Sequence, residues 1–346
     1  MNGRDRLKIA VVGAGAIGGI TAAFLAEAGY DVELVCNHED TARLANGDGL
    51  SISGVRGTRR VKVGAVTGID RLSGQKDAIL LAVKAYDLPG VLQSCLPFLS
   101  DQSLVVSMQN GICTDAVAEI AGQARTVGCV IGWGATMHGR GELEMTSEGE
   151  FVIGGLEPGM EERLEPLRQA LSAVVPARVS PDIYAELYSK LIVNSCITSL
   201  GAICGLRLGE MMKRKRAREL FLGIIFEAMA VAEAIGVRIP PYAGKLDYYK
   251  LCSGKGFLPD WKRHMMIRVM GLKYRRLKSS SLQSLERGKP TEIDFFNGYI
   301  CRKGAECGVK TPVNDAVVAV IRQIESGKHK PEPTNFGLPE FQDLAR

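Results

Sequence analysis

"KIAVVGAGAIGGITAAFLAEAGYDVELVCN", residues 8–37, leaves little freedom in the choice of fold. An unbroken apolar run reads as a parallel strand, glycines follow at 13, 15 and 18, an Ala-rich amphipathic stretch closes at Gly29, and a second strand follows. Each glycine has a mechanical reason. Gly13 permits the tight turn, Gly15 lets the backbone approach a pyrophosphate, and Gly18 lets helix and strand pack closely. The helix N-terminus, at Ala16 and Ile17, supplies unpaired N–H groups to the anion. The glycine spacing alone is weak evidence, since a Gly-rich turn in another α/β protein shows it too. Here it sits in the strand–turn–helix–strand context that a dinucleotide cradle requires.

The end of the second strand reports on the adenosine ribose. An acidic residue there hydrogen-bonds the 2′-hydroxyl of NAD, and a nearby Arg accepts the 2′-phosphate of NADP. The positions are held by Cys36, Asn37 and His38, so neither rule is met. Asn37 equally suits the N-cap of a following helix, with "HEDTARLA" after it. Farther on, "DAILLAVKAYDL" (77–88) and "SLVVSMQNGI" (103–112) read as buried strands ending at Lys84 and at Asn110-Gly111. Ligands of open parallel sheets collect at strand carboxyl ends, which makes Lys84 and Asn110 candidate site residues. From 126 to 155, short β-like runs separated by glycines are expected to finish the sheet, with His138 on a loop and without a catalytic role.

At 346 residues the chain exceeds one ordinary core, and the pattern changes after Pro176 and Pro181. Helical periodicity predicts helices over 182–206, 208–236, 260–277, 291–308 and 313–326, followed by a Pro-rich tail with a loop-like or disordered character. The expected architecture is an N-terminal Rossmann domain over 1–179 and an all-α domain over 180–346, with a cleft between them. Residues 1–179 hold 16 Lys and Arg against 21 Asp and Glu, and the remainder 27 against 17, so the second half is the basic one.

No signal peptide or spanning segment is expected. Nine cysteines, an odd number without CxxC pairs, indicate neither a disulfide framework nor a metal site; free thiols in a reducing cytoplasm fit.

Within the second half, "YSKLIVNSCITSLGAICG" (188–205) reads as a buried helix carrying two residues that a core does not explain. Lys190 and Asn194 lie four apart and project from one face. An unpaired ammonium in an apolar core costs several kcal/mol, on the order of the desolvation of one ion, so Lys190 must meet a cleft, a partner, or both. The alternative is a lysine that snorkels out at the helix end.

The blocks "GAGAIGG", "VKAYD", "QNG", "KLIVNSCIT", "SSSLQSLERGKPTEIDFFNGY" and "CGVKTPVN" occur in the order and spacing of the ketopantoate reductase (2-dehydropantoate 2-reductase) family, which this chain resembles over nearly its whole length. The resemblance implies NADPH-dependent reduction of ketopantoate to pantoate, in pantothenate biosynthesis. By motif position it implies Lys190 as general acid and Glu292 as a second catalytic residue that binds substrate, with Asn110, Asn194, Thr198 and Ser280 also on the substrate. It further implies Gly13, Gly15, Ala16, Ile17, Gly18, Asn37, Lys84 and Asn110 along the dinucleotide.

The chemistry agrees. Hydride transfer to a 2-keto acid builds negative charge on the former carbonyl oxygen, which calls for a cationic proton donor held in place. Burial lowers the pKa of such a lysine, and a carboxylate within reach raises it again. A basic domain also attracts an anionic keto acid.

Three features depart from the family pattern. Thr198 stands where relatives carry a second Asn, Ser284 where they carry Asp, and Asn37 where they carry Arg. Extra length at 238–277, expected near the cleft entrance, also distinguishes this chain. An NAD(P)-dependent reductase of a different 2-keto acid or 3-hydroxy acid is the alternative on the same fold. A third reading takes "KRKRAR" (213–218) and the basic cluster 262–278 as a nucleic-acid or acidic-partner surface, but like-charge runs are usually solvated helix faces. The expected partner is a small anionic 2-keto acid, with neither nucleic acid nor membrane, and the chain is compatible with a homodimer.

Overall fold

The computed structural model describes residues 7–242, 244, 246–252, 260–342 and 344. Two compact units divide the chain. One comprises Met1–Gln109 and Cys113–Leu187, the other Asn110–Ile112 and Tyr188–Arg346. The boundary falls after Leu187, inside a helix, a few residues beyond the position that the prolines indicated.

Among the described residues, unit 1 contains twelve strands: β1 (Lys8–Val12), β2 (Asp31–Val35), β3 (Leu50–Gly54), β4 (Arg59–Val61), β5 (Gly64–Val66), β6 (Lys76–Leu81), β7 (Leu99–Ser107), β8 (Thr126–Ile131), β9 (Gly134–Gly139), β10 (Glu142–Ser147), β11 (Phe151–Gly155) and β12 (Ala177–Val179). Eight of them form one sheet in the order β12-β11-β8-β7-β6-β1-β2-β5. Its pairs are parallel except β8 with β11. The apolar runs that read as buried strands are buried on both faces: Ile9, Ala10 and Val11 of β1 and Ala78 through Leu81 of β6 are inaccessible. Chain order reverses between β1 and β6, and that switch point is where an open α/β sheet offers a crevice to a ligand.

Only part of 126–155 finishes this sheet. β9 and β10 instead join β3 and β4 in a separate four-stranded sheet in the order β4-β3-β10-β9, β10 pairing with β3. His138 lies on β9, exposed, with Nε2 2.6 Å from Glu144 Oε2 on β10. It is therefore a strand residue in a cross-strand pair, not a loop residue.

Helices α1 (Ala16–Glu27), α2 (Glu39–Asn46), α3 (Leu88–Cys95), α4 (Thr114–Ala121) and α5 (Glu161–Leu171) belong to unit 1. α6 (Ile183–Cys204) starts there and leads into unit 2. Unit 2 continues with α7 (Leu208–Lys213), α8 (Lys215–Ala234), α9 (Tyr248–Cys252), α10 (Asp260–Lys273), α11 (Ser280–Glu286), α12 (Asn297–Cys307) and α13 (Pro312–Glu325).

The periodicity located the long helices and missed their breaks. The expected helix over 208–236 is two helices, because Arg214 adopts an extended conformation (φ −81°, ψ 127°) and acts as the N-cap of α8. The expected helix over 291–308 begins as a single 3₁₀ turn, Ile293–Phe295, and Phe296 (φ −111°, ψ −101°) separates it from α12. The Pro-rich tail packs rather than straying. Phe336 and Phe341 are buried, and Asn335 Nδ2 donates to the Ile203 carbonyl at 2.9 Å, capping the carboxyl end of α6.

α6 is the one helix among the described residues long and apolar enough to cross a membrane, and 83% of its most apolar window is buried inside the protein. The nine cysteines are free. Burial pushes the Cys36 thiol up to about 11 and the Cys95 thiol up to about 12, so neither is a ready thiolate.

Candidate active site

The three glycines of the turn divide their labour as their spacing led one to expect. Gly13 sits at φ +113°, and a Cβ there would lie 2.8 Å from the Ala82 carbonyl oxygen beyond β6. A Cβ on Gly18 would be driven into the Gly13 carbonyl and the Ala82 methyl. The protein's own packing thus accounts for both. Gly15 differs: its backbone is extended (φ −72°, ψ −173°), and a Cβ on it would meet nothing within 4 Å. It is also the N-cap of α1, with no side-chain cap hydrogen bond and no acid in the first turn, and the first N–H groups of such a helix have no intrahelical partner. A group that comes close to bare backbone and accepts hydrogen bonds fits here, and a pyrophosphate is such a group.

Lys84 lies on the same side of the switch point, but three residues past the end of β6 rather than on it. It is half-buried and begins the short turn Ala85–Asp87. What holds this loop is Gln109, which the sequence reading passed over. Its Nε2 donates to the carbonyls of Leu81 (2.8 Å) and Val83 (3.2 Å), and its Oε1 accepts from Ser107 Oγ (2.7 Å). A fully bonded, buried amide therefore ties the ends of β6 and β7. Past β2, Asn37 is exposed; His38 rather than Asn37 is the N-cap of α2, without a side-chain bond. Asp40, in the first turn of α2, is paired with Arg43 at 2.5 Å and Arg140 at 2.7 Å.

In unit 2, α6 answers the question its lysine raised. Between Leu187 and Cys204 every residue is buried except Lys190, Asn194 and Ile197, which are half-buried. Their spacing of four and three places them on one face. A narrow stripe of an otherwise enclosed helix is open, and its two polar residues are on it. Gly201 continues the stripe, and there Ser279 closes it: a Cβ on Gly201 would lie 2.8 Å from Ser279 Cβ.

Ser279 is the N-cap of α11, its Oγ accepting from Leu282 N at 3.0 Å, and the exposed Ser280 follows as the first helical residue. Thr198 is buried beside the stripe rather than open on it. The helix is fixed around Lys190 by Tyr188 Oη donating to Ala228 O (3.0 Å), Ser189 Oγ to Pro240 O (2.9 Å) and Tyr248 Oη to Ser189 O (2.7 Å). The last two partners come from the extra segment 238–277, which therefore braces the lysine-bearing turn. Residues 243, 245 and 253–259 of that segment lie outside the described residues.

Glu292, 5% exposed, precedes the Ile293–Phe295 turn, and its carbonyl accepts from Phe295 N at 3.0 Å. The turn is held on two sides. Gly111, at φ +84°, lies so close to the Phe295 carbonyl that no side chain fits between them, which brings Asn110 to this part of unit 2. On the other side Ser199 of α6 donates to Asn297 Oδ1 (2.5 Å). Asn297 Nδ2 donates in turn to Asn314 Oδ1 (2.8 Å), and Asn314 Nδ2 to Glu227 Oε2 (2.7 Å). Glu227 also accepts from the Val313 and Asn314 amides (2.7 and 2.9 Å), capping α13. Three buried polar side chains and the half-buried Glu227 thus tie α6, α12, α13 and α8 together. "FFNGY" and "PVN" were visible in the sequence, but no spacing rule links residues so far apart.

Burial pushes the Glu227 carboxyl up, against the amides that pull it down. The native state then holds this proton more tightly than the unfolded chain does, so the group makes stability fall as pH rises from the ordinary carboxylate range through its raised value. Glu227→Gln sets an NH₂ against backbone donors, which costs about 1–3 kcal/mol. Urea melts across mildly acid pH are expected to show a lower midpoint and a flatter pH slope for this variant.

The family profile described as "Ketopantoate reductase PanE/ApbA" matches residues 9–158, and "Ketopantoate reductase PanE/ApbA C terminal" matches 182–325. A 2-dehydropantoate 2-reductase of Aquifex aeolicus is 26% identical over 323 residues, covering 92% of this chain and 97% of that protein. Among solved structures, a PanE/ApbA family ketopantoate reductase from Ralstonia eutropha is 28% identical with a TM-score of 0.78, covering 93% of this chain and all of that one. D-mandelate dehydrogenase, in a ternary structure with NADH and anilino(oxo)acetate, shares the fold (23% identity, TM-score 0.78, 93% and 99% covered).

Proposed function

This chain belongs to the ketopantoate reductase PanE/ApbA family of oxidoreductases, and on that premise we propose that it reduces ketopantoate to pantoate, with Lys190 giving the proton. The observation that carries the reading is the open stripe on α6: a buried helix leaves one face accessible, and on it stand an ammonium and an amide.

A nicotinamide dinucleotide supplies hydride to the keto carbon when bound; Gly15 and the bare first turn of α1 receive its pyrophosphate, and Lys84 lines its path. Lys190 stabilises the charge developing on the former carbonyl oxygen and delivers the proton that makes it a hydroxyl. Asn194, Asn110 and Ser280 orient the substrate through amide and hydroxyl hydrogens. Glu292, shielded from water, accepts a hydrogen bond from the substrate side and supports the charged form of Lys190. NADPH is the proposed donor, since Asp40 carries two guanidiniums just past Asn37 and the cluster keeps a net positive charge for a 2′-phosphate.

Loss of the reduced-nicotinamide absorbance, with NADPH and with NADH, tests both parts when ketopantoate and other 2-keto acids are offered in turn. Ketopantoate with NADPH is expected to give the highest kcat/KM, and another keto acid ahead of it would reassign the substrate. Glu292→Gln keeps the shape and removes one charged acceptor, a loss of about 1.5–3 kcal/mol. The expected consequence is a kcat/KM lower by roughly 10- to 150-fold with a raised KM. Unchanged kinetics would remove Glu292 from the site.

A further inference from the structure

The most conspicuous feature that the reductase reading leaves unused is the outer face of α10. Its inner face is engaged: Ile267 is buried, Gly271 lies against the Met212 side chain of α7, and Arg263 stacks over Phe226 of α8 at 5.5 Å. Its outer face is apolar. Trp261 is 63% exposed, Met265 50%, Val269 56% and Leu272 54%. At about 100° per residue these four fall within roughly 80° of arc, forming a ridge about 17 Å long. Lys262 and Lys273 border it on one side and Arg268 on the other, all exposed. From 260 to 278 the chain carries seven Lys and Arg against one acid, Asp260, which is already paired with Arg263 at 2.9 Å.

We propose that this face docks on an anionic phospholipid surface, with Trp261, Met265, Val269 and Leu272 entering the boundary between headgroups and acyl chains and Lys262, Arg268 and Lys273 meeting lipid phosphates. An aliphatic ridge with an aromatic end and flanking cations is the composition of helices that lie in such an interface. The charge decides against the other occupants. A second copy applied to the same face would set these cations against their own images, at a cost rather than a gain. A nucleic-acid backbone would satisfy the cations and leave an aliphatic row facing phosphates. The expectation of no membrane partner rested on the lack of a spanning segment, which is a different property from lying on a surface.

The test is co-sedimentation of the full chain with vesicles of phosphatidylcholine alone and of phosphatidylcholine with phosphatidylglycerol in equal parts. Binding is expected on the mixed vesicles and not on the neutral ones. Val269→Glu with Leu272→Glu should reduce it at least tenfold, roughly the effect of charging an inserted face, while leaving reductase kinetics and the thermal midpoint unchanged. Lys262→Ser with Lys273→Ser, which leaves the ridge intact, should weaken binding and reduce its salt dependence.

Equal sedimentation with both vesicles, or none with either, overturns the proposal. So does a dimer in light scattering that the Glu variant dissolves, or salt-sensitive retention on DNA that the same variant abolishes.

Discussion

Lys190→Ala is expected to lower kcat by about 10³-fold or more while leaving the affinity for NADPH within about twofold, because a general acid contributes about 10²–10⁴ and an oriented charge at the developing alkoxide adds to it. The variant isolates chemistry from folding for local reasons. Alanine is the strongest helix former, and α6 around position 190 is held by hydrogen bonds of Tyr188, Ser189 and Tyr248. Lys190→Arg gives a second check. It keeps the positive charge but does not readily release a proton near neutral pH, so its rate should also stay far below that of the native enzyme. Single-turnover measurement with saturating dinucleotide reads the chemical step, and near-native keto acid reduction by Lys190→Ala would end the assignment.

Gly15→Val should raise the dissociation constant for NADPH by about 10²-fold or more, on the order of what a displaced pyrophosphate contact costs, with the thermal midpoint nearly unchanged. The two effects separate because Gly15 has a backbone that any L-residue adopts, and a Cβ on it would meet nothing within 4 Å beyond its own chain neighbours. Gly18→Ala is the contrast, since its methyl collides with the Gly13 carbonyl, and it should lose stability before it loses affinity. Fluorescence titration of the reduced cofactor beside a thermal melt separates the two. Native affinity in a folded Gly15→Val protein would mean that the open space at the helix terminus is not a pyrophosphate cradle.

The sequence told most where chemistry is local. The turn at Gly13, the runs of β1 and β6, and the buried character of α6 follow from residues that touch their own neighbours in the chain, and they are found where periodicity placed them. It told less wherever partners are distant. β9 and β10 carry the same short β-like pattern as β8 and β11, yet belong to a second sheet through β10 pairing with β3, and strand composition holds no label for the partner. Gln109 stood in plain view in "QNG" but becomes a brace only through carbonyls 26 and 28 residues away. Phe336 and Phe341 look like part of a loose tail until α6 offers its carboxyl end to be capped.

By itself, the sequence determined the fold class and the residue types at the site, since glycine spacing, apolar runs and an i, i+4 lysine and asparagine act over one or two turns of chain. Only the tertiary structure decided which face of α6 stays open, that a Cβ on Gly15 would meet nothing within 4 Å, and that Ser199, Asn297, Asn314 and Glu227 join four helices. The physical reason is that burial and hydrogen-bond partnership are properties of groups brought together by packing, and the free energy that selects them depends on separations in space that no local pattern records.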